Sequence, residues 1–296
     1  MTTGNERTSF GDALAAAFDA HGHLCVGIDP HEYLLKEWGL PLSAVGAHEF
    51  GLRVVEACVG RVGIVKPQVA FYERFGSIGY RVLEDVMIEA RKAGLVVLAD
   101  VKRGDLGSTL EAYAEAWLTP GSPLEADAMT ISAYQGFGAL APPLELAEKH
   151  GKGLLVLSAT SNPEAVAVQT SIIQRESQAG KTVAGGLASR VAGWNGEHSA
   201  GSRLGSIGVV LGATIDFDDL GIDLAELAAA PAAPILAPGF GYQGAEVTAV
   251  RDIFGVAADQ VIVTASRSIL SAGKSGTDGI RDAIDRQVAE LAEAYA

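Results

Sequence analysis

The chain has 296 residues, enough for one α/β barrel or two ordinary domains, and its 48% hydrophobic and 20% charged content belongs to a globular protein with a sizeable core. A net charge of −14 argues against general binding to nucleic acid or to an anionic membrane, both of which call for basic patches, while leaving room for a small buried anion site. No window approaches 18 uninterrupted apolar residues and the N-terminal stretch lacks an apolar run, so neither a membrane span nor a signal peptide is expected. Cys25 and Cys58 sit in apolar segments and read as reduced core thiols of a cytoplasmic protein, with no disulfide framework or metal spacing.

Ser9-Phe-Gly-Asp12 resembles a capping box with Asp in place of Glu, and Phe10, Leu14, Ala17 and Phe18 follow at helical spacing. A helix is therefore expected ahead of the main fold. His21 and His23 beyond it read as a surface turn rather than a metal pair. LCVGIDP is a short apolar run that ends in Asp29, with Cys25, Gly27 and Asp29 on one face and Pro30 stopping the strand. A helical stretch around 47–59 leads to RVGIVKPQVAFYE, where Val62, Ile64 and Lys66 share a face. Tyr80, Leu83, Met87 and Ala90 mark the next helix.

Residues 95–109, LVVLADVKRGDLGST, organise the rest. Both faces of the run are apolar until Asp100, as in a parallel strand covered on both sides. Val96, Leu98, Asp100 and Lys102 share one parity, so the charges appear as the strand runs out at its carboxyl end, where α/β sheets bind ligands. Gly104 and Gly107 loosen the chain, and Ser108 is expected to cap a helix carrying Leu110, Tyr113 and Trp117. DAMTISAYQG then reads as a fourth strand. Residues 145–150 lead to a fifth, GLLVLSATSNP, which ends in Ser158, Thr160, Ser161 and Asn162. Residues 164–205, rich in Gly, Ser, Ala and Gln, read as a helix and a long excursion within one domain. IGVVLGAT, APILAPGFGYQG and DQVIVTASRSI supply strands six to eight, and Ile280, Ile284, Val288, Leu291 and Tyr295 a last helix.

Eight apolar runs alternating with helices give an α/β chain with the pattern of a (β/α)8 TIM barrel. It forms one domain over residues 1–296, with an extra N-terminal helix and an excursion after strand five. A doubly wound sheet is the alternative. In a barrel, Asp29, Lys66, Asp100, Lys102, Ser161, Gln243 and Arg267 all fall on one rim.

A lysine flanked by carboxylates stays protonated, and a positioned ammonium can stabilise a forming carbanion and then protonate it. The bland reading of Asp100, Lys102 and Asp105 is a solvated salt-bridge network. Gly239-Phe-Gly241-Tyr-Gln-Gly244 spells GxGxxG, but a dinucleotide fingerprint belongs in the first βα unit with an acid ending the next strand, whereas Asp259 here precedes the next strand. A phosphate loop after strand seven fits better. Ser266-Arg267-Ser268 after strand eight adds a guanidinium suited to a phosphate dianion.

With these residues assembled, the chain resembles the orotidine 5′-phosphate decarboxylase family in its longer subclass. ADVKRGDLGST is the most specific piece, beside GIDP, IVKP, SNP, PGFGYQG and ASRSI, and the resemblance runs from about residue 24 to 272. It implies decarboxylation of orotidine monophosphate to uridine monophosphate in pyrimidine biosynthesis, without metal or organic cofactor. It also implies site roles. Lys102 donates the proton to C6, Asp100 lies against the substrate carboxylate, and Lys66 and Asp29 hold the ribose and join the charge network. Ser161 bonds the pyrimidine, with Thr160 or Asn162 in its place if the strand boundary shifts by one. Gln243 and Arg267 hold the phosphate, with Gln135 as another amide at a strand end. Asp105 and Thr109 reach the neighbouring site of a homodimer.

Three other readings stand beside it. Metal-dependent sugar-phosphate decarboxylase or aldolase-like relatives share the Asp-x-Lys-x-x-Asp motif but typically carry a glutamate at the end of strand two, where this chain has Lys66. A nucleotide-sensing barrel without catalysis would bind its ligand unchanged. A Schiff-base mechanism would need a neutral lysine, against which the flanking carboxylates push.

Overall fold

Period-two alternation sorts the strands into two faces, and the two faces build two separate cores. The structure, a computed structural model, describes residues 8–175, 177–241 and 244–296. In it β1 (Leu24–Ile28), β2 (Ile64–Pro67), β3 (Val96–Arg103), β4 (Ala128–Ser132), β5 (Gly153–Ala159), β6 (Ile207–Leu211), β7 (Ile235–Ala237) and β8 (Val261–Ala265) pair in chain order, all parallel, and β8 closes onto β1. Cys25, Ile64, Leu98, Ala128, Leu155, Val210, Leu236 and Ile262, one from each strand, meet in the lumen. Their neighbours of opposite parity, such as Val26, Val65, Val97, Met129, Val209, Ile235 and Val263, face the surrounding helices. This is the (β/α)8 barrel expected, with a filled interior rather than a pore.

The first helix, Phe10–His21, starts where the Ser9 hydroxyl accepts the Asp12 amide proton at 3.1 Å. Phe10, Leu14, Ala17 and Phe18 join the lumen cluster, so this helix plugs the amino-terminal end of the barrel. His23 departs from the surface-turn expectation. Its Nδ1 lies 3.0 Å from the Val261 carbonyl, and its ring stacks between Phe18 and Tyr295 at centroid distances of 4.0 and 4.1 Å. Burial lowers its pKa. Among the described residues no three His, Cys, Asp or Glu side chains group as a metal site, and no helix is long and apolar enough to cross a membrane.

One other expectation is corrected. Ser108 does not cap its helix: Gly107–Leu118 begins two residues earlier than a Ser108 cap would set it, after Leu106, with Gly107 at φ +51°, and the N-cap side chain makes no bond. Residues 164–205 hold the helix and the excursion expected of them. Val183–His198 is a barrel helix packed on β5 and β6, capped by the Thr182 hydroxyl, which accepts the Gly185 amide proton at 2.9 Å. The excursion holds short turns at Pro163–Ala165 and Val166–Gln169 and an antiparallel bridge between Ile172 and Thr182.

A cluster of charges fastens the strand starts. Glu125 pairs with Lys152 at 2.8 Å and Arg91 at 2.6 Å, and Asp127 accepts the Val97 amide proton at 2.9 Å. Burial pushes the Glu125 carboxyl up, but bonds from Lys152, the Gly121 amide and Arg91 outweigh it and hold the pKa at about 2. A depressed carboxylate contributes stability above its unfolded pKa and loses it as pH falls through the folded value. Glu125→Gln should therefore cost about 1–2 kcal/mol in urea unfolding at pH 7, partly screened by solvent. The deficit relative to wild type should shrink between about pH 4 and pH 2.

Candidate active site

Beyond the last apolar layer the lumen parity continues in polar residues: Gly27 and Asp29, Lys66 and Gln68, Asp100 and Lys102, Thr130, Thr264 and Ser266. With His31, Phe71, Thr160, Leu236, Phe240 and Arg267 they line a cavity of about 440 Å³ at the carboxyl ends of the strands. The chain is strongly acidic overall, yet this cavity sets Lys66, Lys102 and Arg267 against Asp29 and Asp100. Its balance suits an anionic ligand.

Asp100 is the hub. Its Oδ2 accepts from Lys66 Nζ at 2.9 Å and from Gln68 Nε2 at 2.9 Å. Its Oδ1 accepts from Lys102 Nζ and from the Thr130 hydroxyl, the latter at 3.0 Å. Four donors fill the acceptor positions of a carboxylate. Burial pushes Asp100 up, but Lys66 and then Lys102 outweigh it and hold the carboxyl well below the usual range. Burial likewise pushes Lys66 down, and Asp100 and Asp29 reverse it, holding the ammonium well above its ordinary value. The two lysines differ in access: the Lys66 side chain is 11% exposed and the Lys102 side chain 46%. Both line the cavity, Lys66 as the buried cation of the pair and Lys102 as the more accessible one.

β3 presents these groups through a bulge. Ala99 pairs with Met129 and Arg103 with Ile131, so Asp100, Val101 and Lys102 lie opposite Thr130 alone. Within the bulge Lys102 takes a left-handed backbone, φ +46°, and is the one non-glycine residue to do so among those described. Such a residue costs on the order of 1–3 kcal/mol and persists only where its surroundings enforce it.

Asp29 follows β1. Its Oδ2 accepts from the Ser266 hydroxyl at 2.6 Å, while Oδ1 is buried without a hydrogen-bond partner. A Cβ on Gly27 would sit 2.8 Å from Ser266 Cβ and 3.1 Å from that Oδ2, so only glycine leaves space for the pair beside the cavity. His31 was not anticipated; burial, then Arg267 and Arg74, outweigh Asp29 and lower its pKa.

Of the residues singled out from sequence, Asp29, Lys66, Asp100, Lys102 and Arg267 come together around the cavity. Ser161 is exposed and Thr160 lines the cavity instead. Asp105 accepts the Leu106 amide proton at 2.8 Å, and neither it nor the exposed Thr109 lines the cavity within this chain. Gln243 lies outside the described residues, although Gly239 and Phe240 of its loop reach the cavity. Gln68, Thr130 and Ser266 were missed. Each lies on the lumen parity of its strand, and extending that parity past Pro67 and through DAMTIS would have found the first two.

The profile of the orotidine 5′-phosphate decarboxylase / HUMPS family matches residues 22–278. A protein of Corynebacterium efficiens named orotidine 5′-phosphate decarboxylase is 45% identical over 283 residues, 96% of this chain and 97% of the relative. One of Salinispora tropica with the same name is 48% identical over 283 residues, covering 95% and 96%. A crystal structure from Streptomyces avermitilis, assigned as an orotidine 5′-phosphate decarboxylase, superposes with a TM-score of 0.89 at 43% identity, covering 100% of this chain and 99% of the other. By profile, identity and coverage alike, this chain belongs to the orotidine 5′-phosphate decarboxylase / HUMPS family.

Proposed function

We propose that this chain, acting as one (β/α)8 domain, decarboxylates orotidine 5′-monophosphate to uridine 5′-monophosphate and CO2. The observation that carries the reading is the partly exposed Lys102 ammonium held on the buried, ionised Asp100, with Lys66 fixing the carboxylate from its other side. Losing CO2 from C6 leaves a carbanion orthogonal to the ring π system, so no electron sink in the ring helps. A fixed cation where the charge appears is the remaining stabiliser, and at about 4 Å and an effective dielectric near 20 it contributes roughly 4 kcal/mol. Enzymes lower barriers by about 8–23 kcal/mol, so binding energy from the rest of the substrate must supply orientation as well.

In this reading Lys102 protonates C6 and Asp100 borders the departing carboxylate. The orphaned Asp29 Oδ1, with Lys66 nearby, accepts from the ribose hydroxyls. Thr160 or Ser161 bonds the pyrimidine, and Arg267 with Gln243 holds the phosphate. No step calls for a metal or organic cofactor. The free, buried thiols Cys25 and Cys58 suit a reducing compartment, which we take to be the cytoplasm.

The test is turnover of orotidine 5′-monophosphate by purified protein in excess EDTA, followed by loss of orotate absorbance with identification of the product. Conversion to uridine monophosphate supports the proposal. No conversion, with turnover of a keto-sugar phosphate once magnesium is restored, would replace it with the metal-dependent chemistry.

Asp105 and Thr109 stand on the cavity's rim in sequence but outside it in space, which supports a homodimer whose subunits lend them to each other. Asp105→Ala and Lys102→Ala proteins, each inactive alone, should then regain activity when mixed and refolded together. At random pairing, half the dimers are mixed and carry one intact site. Failure of complementation, with mixed dimers detected by native mass spectrometry, would confine each site to one chain.

A further inference from the structure

We propose that Thr130 is a positioning residue for the Lys102 proton donor, its single hydroxyl holding both the backbone and the carboxylate that aim the ammonium. The two extra residues of the β3 bulge leave amides that the regular ladder to β4 does not pair. Thr130 Oγ1 accepts both of them, Val101 N–H at 3.0 Å and Lys102 N–H at 2.9 Å. It gives its one proton to Asp100 Oδ1 at 3.0 Å, the oxygen that also receives Lys102 Nζ. Thr130 is 1% exposed, so water cannot stand in for it. Both lone pairs and the proton are then committed, which gives the hydroxyl one orientation. The same atom therefore sets the left-handed backbone of Lys102 and the carboxylate on which its side chain rests. Removing it frees the backbone to relax toward negative φ and leaves Asp100 short of one donor, and both changes move Nζ.

The kinetic arm rests on the decarboxylase reading; the structural arm does not. Thr130→Val keeps the shape and deletes the hydroxyl, whereas Thr130→Ser keeps the hydroxyl and deletes a methyl. Thr130→Val should lower kcat about 10²-fold with KM changed less than about threefold, the scale expected for a misplacement near 1 Å. It should also shift the acidic limb of the kcat profile upward, because Asp100 has lost a donor to its ionised form. Thr130→Ser should stay within about fivefold of wild type. Crystal structures of both variants should show Lys102 at positive φ in Ser and rotated out of it in Val. Positive φ with an unmoved Asp100 in Thr130→Val would overturn the proposal even if the wild type fails to turn over orotidine monophosphate. So would equal loss of kcat in Ser and Val, which would make the role one of packing.

Discussion

Lys102→Ala is expected to lower kcat by about 10⁵-fold or more while the protein stays folded. Two losses combine. Removing the fixed cation forfeits roughly 4 kcal/mol of carbanion stabilisation, close to 10³-fold. Removing the proton donor forfeits a further 10²–10⁴-fold typical of general acid catalysis. Stability should change little, because the side chain is 46% exposed and alanine also relieves part of the cost of an oriented surface-facing lysine. Substrate binding should weaken far less than kcat, since phosphate and ribose contacts lie elsewhere in the cavity. Equilibrium binding of uridine monophosphate measures the second point and steady-state turnover the first. A kcat loss below about 10²-fold would remove Lys102 from the proton-donor role.

Asp100→Asn should damage both stability and turnover. The substitution leaves the Lys66 ammonium, 11% exposed, facing a neutral amide. Breaking a buried pair in this way costs about 3–5 kcal/mol, which for a chain of this size lowers Tm by roughly 10 °C. The pH dependence follows from the directions of the two shifts. Asp100 is depressed, so its contribution is present above the unfolded carboxyl pKa and is lost only as pH falls through the folded value, in strong acid. Lys66 is raised, so its contribution is complete below the unfolded lysine pKa and is lost only in strong base. The two shifts describe one interaction, and the stability deficit of Asp100→Asn should stay flat from about pH 5 to pH 9 in thermal melts. Turnover should fall because the amide no longer anchors Lys102 and no longer repels the substrate carboxylate. Near-normal kcat in a folded Asp100→Asn protein would sink both roles at once, including the contested destabilisation of the bound ground state.

The sequence by itself determined the barrel and the charge set. Apolar strand runs separated by helical spacing carry their own period, and one parity per strand assigns Asp29, Lys66, Asp100 and Lys102 to a common rim, because the alternation is local to each strand. Capping by Ser9 was equally local. What the tertiary structure decided is what depends on two strands meeting. A bulge exists only in the pairing of β3 with β4, so although strand parity puts Thr130 on the lumen side, neither the left-handed backbone of Lys102 nor the bonds that the Thr130 hydroxyl makes to it could be read from one strand alone. His23 reads as a turn residue until Phe18 and Tyr295, nearly the whole chain apart, close on its two faces. The helix Val183–His198 has a weak amphipathic pattern, built from small residues, and is fixed on β5 and β6 by packing rather than by periodicity. Parity along one strand is a property of the sequence; which acceptor a displaced amide finds is a property of its neighbour.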